Sequence, residues 1–197
     1  MSKKNSVFIA TSLDGYIADK NGGIDWLHSI PNPNNNDMGY GAFFSKIDAL
    51  VMGRTTFETV CGFDMDWPYQ KPVFVLSNSL TNVPKEYEGK AEIVNGSLKE
   101  ILNKIHKRGC NSLYIDGGKT IQSFLKEDLI DELTITIIPY LLGGGIHLFS
   151  ELPKKLDFVC VDSKIYLEQV VQNHFVRKRY KWSSKLYKEH PKIIDIL

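Results

Sequence analysis

Short apolar runs alternate with amphipathic stretches along most of this chain. Runs rich in β-branched and aromatic residues predict strands at residues 6–10, 49–52, 72–76, 92–94, 113–115 and 132–139. Apolar residues at helical spacing predict helices at residues 37–47, 55–60, 97–107 and 119–126. Two later runs, residues 156–165 and 169–180, are typical of an antiparallel pair. This order predicts an α/β fold, with a mostly parallel twisted sheet closed by a C-terminal antiparallel strand pair.

Two segments carry more specific local signals. Ser97 stands where an N-cap is expected, Glu100 occupies the capping-box position three residues later, and Gly109 follows the last helical residue. Residues 11–36 lack a regular period and contain DKNGG and PNPNNN, which are turn sequences. Because long loops in compact domains usually cover or form binding sites, this segment is predicted to be a lid.

Two strand-to-helix turns have the composition of an anion-binding site. In ALVMGRTTFETV, an apolar strand ends at Gly53, and Arg54, Thr55 and Thr56 open the helix. In LYIDGGKT, a strand ends before Gly117 and Gly118, and Lys119 and Thr120 fall in the first turn of the next helix. Glycine allows close approach of a ligand, and free N–H groups with the helix dipole attract anions. The pair predicts a ligand with two phosphate-bearing ends.

Composition narrows the class of protein. The 197 residues are 43% hydrophobic, which suffices for one ordinary domain core, and 24 basic against 23 acidic residues give a net charge of +1. We therefore predict no nucleic-acid or membrane partner. The three cysteines and five histidines show no metal-binding spacing, so no metal site is predicted. The N-terminus lacks a signal-peptide pattern, which indicates a cytoplasmic protein.

Six motifs together resemble the dihydrofolate reductase superfamily, and within it the C-terminal reductase domain of bacterial riboflavin-biosynthesis (RibD) proteins. They are SVFIATSLDGYIA, IDW, MGRTTFE, PVFVLSN, IDGGKTIQSFL and LTITIIPYLLGGGIHLF. The resemblance covers roughly residues 5–180 and implies a three-layer α/β/α fold. It divides the chain into a reductase domain at residues 1–180 and a C-terminal extension of unknown role at 181–197.

The resemblance implies that NADPH lies across the carboxyl ends of the strands. By analogy, Ala10 and Ile17 border the nicotinamide, and Leu76, Ser77 and Asn78 lie at the adenosine end. The cofactor phosphates are then bound by the two predicted turns, Gly53, Arg54, Thr55 and Thr56 with Gly117, Gly118, Lys119 and Thr120. Arg54 beside serine and asparagine donors would suit a 2′-phosphate.

Four residues are candidates for substrate binding. Asp37 lies sixteen residues before Gly53, the position of the substrate-binding acid in dihydrofolate reductase, and is the candidate catalytic residue; it also fits a helix N-cap. Trp26 is either an anchor of the lid or a wall of the site, and Thr136 either a strand residue or a donor to the substrate ring. Asp14 either makes a turn or binds ligand hydroxyls.

The departures from folate reductases point to the riboflavin-type branch. No arginine occurs between Arg54 and Arg108, where folate reductases clamp the glutamate tail, and the corresponding stretch holds Lys71. Ile121 and Asp116 replace a tyrosine and the first of three glycines. Residues 143–145 resemble a glycine-rich turn of riboflavin reductases, although their composition favours a flexible hairpin. GGKT lacks the first glycine of a P-loop.

The resulting hypothesis is an NADPH-dependent reductase. It would act on a pyrimidine- or pterin-like heterocycle, with 5-amino-6-(5-phosphoribosylamino)uracil reduction as the nearest example. Dihydrofolate reduction and a non-catalytic NADPH-binding module are the alternatives. Related reductases are commonly dimers, and a homodimer is expected by this analogy alone.

Overall fold

A computed structural model of the chain describes residues 3–179. The predicted C-terminal extension, residues 181–197, lies outside the described residues. Four α-helices are found in the described part: α1 (Tyr40–Phe44), α2 (Arg54–Cys61), α3 (Leu98–Lys107) and α4 (Gly118–Lys126). Its ten strands are β1 (Lys4–Ser12), β2 (Tyr16–Ala18), β3 (Ala49–Gly53), β4 (Val73–Leu76), β5 (Ala91–Val94), β6 (Ser112–Asp116), β7 (Glu132–Ile138), β8 (Ile146–His147), β9 (Phe158–Tyr166) and β10 (Val170–Arg177).

Eight strands form one mixed sheet in the order β5-β4-β3-β6-β1-β7-β10-β9. The first six in this order run parallel to their neighbours, and β10 and β9 join antiparallel at one side. The predicted α/β sheet and its C-terminal antiparallel pair are therefore confirmed. Parallel strands end at the same edge, so the segments that follow β1, β3, β4, β6 and β7 meet there.

Helices cover both faces of the sheet. On one face α3 and α4 bury Ile105, Ile121 and Phe124 against the central strands. On the other, Phe57 of α2 joins a cluster around Leu50 and Met52, against which aromatic residues of α1 and of the loop before β4 pack. The strands buried between these layers are continuously apolar because both of their faces lie in a core.

Helix α3 begins as its sequence predicts. Ser97 Oγ accepts the backbone N–H of Glu100 at 3.3 Å, and the Glu100 carboxylate accepts the backbone N–H of Ser97 at 3.0 Å. The helix ends at Lys107, and Gly109 follows in a left-handed conformation with a φ of 88°. The capping box is thus confirmed, and it provides α3 with its own acceptor for the first free N–H groups.

The predicted helix at residues 37–47 is wrong in extent. Only Tyr40–Phe44 is helical, because Met38 and Gly39 adopt left-handed φ angles of 52° and 85°, which a right-handed helix cannot contain. The apolar spacing was real, since Phe43 and Phe44 do pack on the core. Residues 32–41 instead form a series of side-chain-capped turns, in which Asn32 bonds the backbone of Asn36.

The loop after β1 contains more structure than its sequence indicated. It includes β2 and a short 3₁₀ helix, Asp25–His28, and β2 pairs antiparallel with β8 in a separate two-stranded sheet. Residues 143–145 therefore do not form a hairpin between neighbouring strands of one sheet. They carry the chain from β7 to β8, and Gly145 lies so close to the Ala18 carbonyl that a Cβ would overlap it.

Candidate active site at the carboxyl edge of the sheet

The two predicted anion-binding turns lie side by side. Strands β3 and β6 are neighbours, so α2 and α4 begin at adjacent points of the carboxyl edge. A Cβ at Gly53 would lie 2.9 Å from Thr120 Oγ1, and a Cβ at Gly117 would overlap Thr56 Oγ1. Gly117 has a φ of 87°, a conformation that disfavours other residues. The two turns are therefore in contact with each other rather than far apart.

Both helices begin without a side-chain cap. The N-cap residues of α2 and α4 are Gly53 and Gly117, and neither start shows a side-chain hydrogen bond to the first N–H groups. Helix α3, on the same face of the sheet as α4, has the capping box described above. Two adjacent helix N-termini with free donors suit an anion with oxygens on both sides. Arg54 adds an exposed cation, whose guanidinium lies 3.8 Å from Glu58.

The small β2–β8 sheet lies against the start of α4. Ile17 Cδ1 lies 2.6 Å from where a Cβ on Gly118 would be, and Gln122 Nε2 donates to the His147 carbonyl at 2.9 Å. Tyr16 stacks on His147 with ring centroids 4.0 Å apart. These contacts place the predicted nicotinamide neighbour Ile17 at the second turn.

Asp14 connects the start of the predicted lid, residues 11–36, to the glycine-rich turn at residues 143–145. Its Oδ1 accepts the Ser12 hydroxyl at 2.6 Å and the Leu142 N–H at 3.1 Å, and its Oδ2 accepts the Gly143 N–H at 2.8 Å. The Ser12 hydroxyl and these backbone donors lower the pKa of the Asp14 carboxyl, although partial burial opposes them. The turn-forming interpretation of Asp14 fits these bonds; its binding of substrate stays a prediction.

Asp116 is a half-buried carboxyl at the same edge. It ends β6, opposite Met52 of β3, and its Oδ1 accepts the backbone N–H of Gly117 at 2.8 Å. Burial raises its pKa from 3.8 to about 6, against the effect of that hydrogen bond. Its charge in turn raises the pKa of nearby tyrosine hydroxyls, after the larger effect of burial; that of Tyr40 rises to about 12. The sequence showed Asp116 only as a departure from a glycine pattern. Its position, a charged residue at the end of an apolar strand, was the signal that could have indicated a role in the site.

A row of three residues crosses the sheet on the face of α1. Ala10 pairs with Thr136, and Thr136 pairs with Gln172. Thr136 is buried, and its Oγ1 accepts the Gln172 amide at 2.9 Å. Trp26 packs in the neighbouring apolar cluster with its Nε1 buried and without a hydrogen-bond partner. The predicted residues Ala10, Thr136 and Trp26 thus share one region, and sequence reasoning missed Gln172.

Asp37 lies on the exposed rim of this region. Its two carboxylate oxygens accept the backbone N–H groups of Gly39, at 2.8 Å, and Gly41, at 2.9 Å. These bonds, that of Gly41 first, hold the pKa of the Asp37 carboxyl below its usual value. The carboxylate thus bonds the first turn of the short helix α1 and remains exposed to solvent, but the N-cap residue of α1 is Gly39, so the N-cap interpretation of Asp37 is wrong. A catalytic role for Asp37 stays a prediction.

The segment after β4 stands beside the first turn. Leu76 ends β4 opposite Gly53, and Ser77 Oγ accepts the backbone N–H of Leu80 at 2.8 Å. Asn78 is exposed.

Within residues 3–179 no group of three or more His, Cys, Asp or Glu could hold a metal ion, and no helix there is long and apolar enough to cross a membrane.

The family model of the RibD C-terminal domain matches residues 4–171 of the chain. The uncharacterized protein YwjB of Bacillus subtilis is 35% identical over 179 residues, which cover 90% of this chain and 99% of that protein. A solved structure from Shewanella sp. PV-4, whose name provisionally assigns it to riboflavin biosynthesis, is 57% identical with a TM-score of 0.87. The match covers 89% of this chain and 99% of that one.

More distant structures show the fold alone. The deaminase/5-amino-6-(5-phosphoribosylamino)uracil reductase of Thermotoga maritima matches with a TM-score of 0.70 at 16% identity, over 90% of this chain and 57% of that one. Dihydrofolate reductase of Enterococcus faecalis, solved with NADP(H), matches with a TM-score of 0.60 at 16% identity, over 88% of this chain and 96% of that one. The dihydrofolate reductase-like fold is thereby confirmed.

Proposed function

Because the chain belongs to the RibD C-terminal domain family, within the dihydrofolate reductase-like superfamily, we propose that it is a reductase that uses NADPH to reduce a small heterocyclic substrate. When bound, NADPH would supply the hydride. The chain's own residues would bind the cofactor and the substrate, orient them and supply a proton to the substrate.

The adjoining uncapped starts of α2 and α4 carry this proposal. Their free N–H groups would suit the oxygens of one pyrophosphate, to which Gly53–Thr56 and Gly117–Thr120 would both donate. The proximity of Gly53 to Thr120 supports one group shared by both turns rather than two separate phosphate-bearing ends. Ser77, Asn78 and Arg54 would bind the adenosine 2′-phosphate, and Lys119 would add charge at the second turn.

Asp116 and Asp37 have different tasks in this proposal. Asp116, which is half-buried and has a pKa raised to about 6, can hold a proton in mildly acidic to neutral solution and donate it to the substrate. Asp37, whose pKa is lowered, stays ionised and attracts the N–H groups of a heterocycle at the rim. Asp116 is thus the better proton donor, while Asp37 keeps its predicted role in substrate binding and activation.

We propose a ribosylaminouracil phosphate as the substrate class. The support is that the structurally similar protein of Thermotoga maritima is named as a 5-amino-6-(5-phosphoribosylamino)uracil reductase. Folate is disfavoured because Lys71, at the position of the folate-clamping arginine, is already engaged. Its ammonium donates to the Ile47 carbonyl and lies 5.8 Å from the centre of the Phe44 ring. A lysine so placed does not form a bidentate bond with a carboxylate.

The test is NADPH oxidation by the purified protein, with 5-amino-6-(5-phosphoribosylamino)uracil, dihydrofolate and quinones as candidate substrates. We expect turnover with the aminouracil phosphate. Asp116→Asn should lower kcat by at least about 100-fold, the usual range for a lost general acid. Asp37→Asn should mainly raise KM.

The opposing outcome is specific. If the protein binds NADPH but oxidises none of it with any of these compounds, and neither aspartate variant changes anything, the chain is a cofactor-binding module without catalysis. Ser97→Ala serves as the control variant, because it weakens the α3 cap away from the site and should leave turnover unchanged.

A further inference from the structure

Gln172 connects two parts of the candidate site that are distant in sequence. Its Nε2 donates to Thr136 Oγ1 at 2.9 Å and to the Met38 carbonyl at 3.0 Å. A carbonyl can only accept, so the atom that faces Met38 must be the amide nitrogen, and both of its protons are used. We propose that Gln172 is a positioning residue that fixes the Thr136 hydroxyl and the loop segment carrying Asp37 for substrate binding. This inference rests on the proposed function.

The first partner is a buried hydroxyl. Thr136 is 4% exposed and lies in the same row as Ala10, on the face of the sheet that carries α1. Because its Oγ1 accepts from Gln172, its own proton is left to donate elsewhere. Gln172 thereby sets Thr136 as a donor, which suits a carbonyl oxygen or an unprotonated ring nitrogen of the substrate.

The second partner is a strained loop segment. Met38 has a left-handed φ of 52°, and its N–H donates to Asn36 Oδ1 at 2.8 Å. A non-glycine residue keeps such a conformation only when its surroundings hold it there. The bond from Gln172 to the Met38 carbonyl ties this segment to the sheet, and Asp37 is the adjoining residue. The position of the Asp37 carboxylate therefore depends on a side chain from β10.

Gln172→Met removes both donors at similar size, while Thr136→Val removes the hydroxyl and leaves the Met38 anchor. Hydrogen–deuterium exchange of residues 36–41 should be up to about tenfold faster in Gln172→Met, the loss of one hydrogen bond, and unchanged in Thr136→Val. Gln169→Met, at the exposed turn between β9 and β10, is the control for the change of residue type. Should Gln172→Met not fold, Gln172→Asn, one methylene shorter, is expected to give the same local loss.

Kinetics distinguish positioning from general support of the fold. With 5-amino-6-(5-phosphoribosylamino)uracil as the probe, Gln172→Met should raise KM about tenfold and change kcat and NADPH affinity less than about twofold. In Gln172→Glu the ionised carboxylate would accept the Thr136 proton, so KM should rise at pH 7 and partly recover as the pH falls and that glutamate is protonated.

Unchanged exchange at residues 36–41 in Gln172→Met would overturn the proposal. So would an equal fall in NADPH affinity, kcat and thermal stability, because that pattern marks a purely structural residue. Absence of turnover in the unmodified protein would count against the proposed function instead, and the exchange measurement would still decide the role of Gln172.

Discussion

Two aspartates at the candidate site show how surroundings set the state of one side-chain type. Asp37 accepts two backbone N–H groups at the surface, and its pKa lies below the usual value. Asp116 is half-buried at the end of β6, and its loss of water raises its pKa to about 6. Two carboxyls whose pKa values are shifted in opposite directions can supply one permanent charge and one exchangeable proton.

The predicted preference for NADPH over NADH is also argued from single residues. Arg54 is exposed at the start of α2, and its guanidinium lies 3.8 Å from Glu58, an i,i+4 pair that contributes little by itself. Arg54→Ala should therefore weaken NADPH binding about tenfold and leave NADH binding nearly unchanged, because only NADPH has the 2′-phosphate. Titration calorimetry with both coenzymes measures this ratio.

Glu58→Ala is the matched control for that measurement. It removes the partner of Arg54 and leaves the cation, so the preference for NADPH should persist or increase. Equal affinities of the Arg54→Ala variant and the unmodified protein for NADPH would show that the adenosine end lies elsewhere.

Among the helices, the start of each is as informative as its apolar face. Helix α3 has a capping box, whereas α2 and α4 begin at glycines without a side-chain cap. A glycine at the N-cap in place of serine or aspartate reduces helix stability by only about a few tenths of a kcal/mol, so the open start costs the fold little. Two such starts in contact are consistent with a ligand that completes the caps, which joins stability to binding at these elements.

Substitution of the glycine that starts α4 tests this arrangement. Gly117→Ala places a Cβ onto Thr56 Oγ1 and forces alanine into a φ of 87°. We expect a loss of roughly 2–4 kcal/mol in unfolding free energy from strain and overlap, together with loss of NADPH binding. Chemical denaturation and calorimetry measure the two effects.

Gly89→Ala separates backbone strain from contact. Gly89 has a φ of 76° but no atom within 4 Å of a built Cβ. This variant should lose only about 1 kcal/mol and keep NADPH binding. A similar loss of binding in both variants would contradict the assignment of the second turn.

At the scale of the whole molecule, the candidate site lies at one edge of a sheet that helices cover on both faces. The carboxyl ends of six parallel strands meet there, beside the small β2–β8 sheet. A carboxyl that loses water at that edge destabilises the folded state as a whole when it is ionised. Because of this cost, ionisation of Asp116 should be measurable as a pH dependence of the free energy of unfolding.

Asp116→Asn should stabilise the protein at alkaline pH. Because the folded pKa of Asp116 is raised from 3.8 to about 6, the native state binds its proton more tightly than the unfolded state, so stability falls as the pH rises between these values. The shift corresponds to roughly 3 kcal/mol. Denaturant unfolding measures the free energy of unfolding of Asp116→Asn minus that of the unmodified protein. This difference should be more positive at pH 8 than at pH 4, by up to about 3 kcal/mol.

Asp37→Asn provides a control of opposite sign. Its folded pKa is lowered, so the carboxylate contributes stability above the unfolded pKa, which is lost as the pH falls. The variant should be less stable than the unmodified protein at pH 8, with the difference vanishing in acid. The same sign in both variants would contradict the burial of Asp116.

Local signals in the sequence were sufficient for most elements and for the family. The eight strands of the large sheet, α2, α3 and α4 were predicted because apolar period, capping residues and glycine turns act over a few residues, whereas the short strands β2 and β8 were missed. The start of α3 at Ser97 and the turns at Gly53 and Gly117 are such cases. The short helix α1 was overestimated, because the apolar spacing of residues 38–47 does not reveal that Met38 and Gly39 turn left-handed.

The chemistry of the site was decided by contacts between residues far apart in the chain. The pKa of Asp116 rose only through its burial in the folded protein, and Gln172 reached Met38 across 134 positions. Likewise, the two turns lie side by side because β3 and β6 pair. The sequence by itself determined most elements and their order, because hydrophobic period and capping are local. The tertiary structure decided which polar groups meet and which lose water, because burial and strand pairing depend on the whole chain.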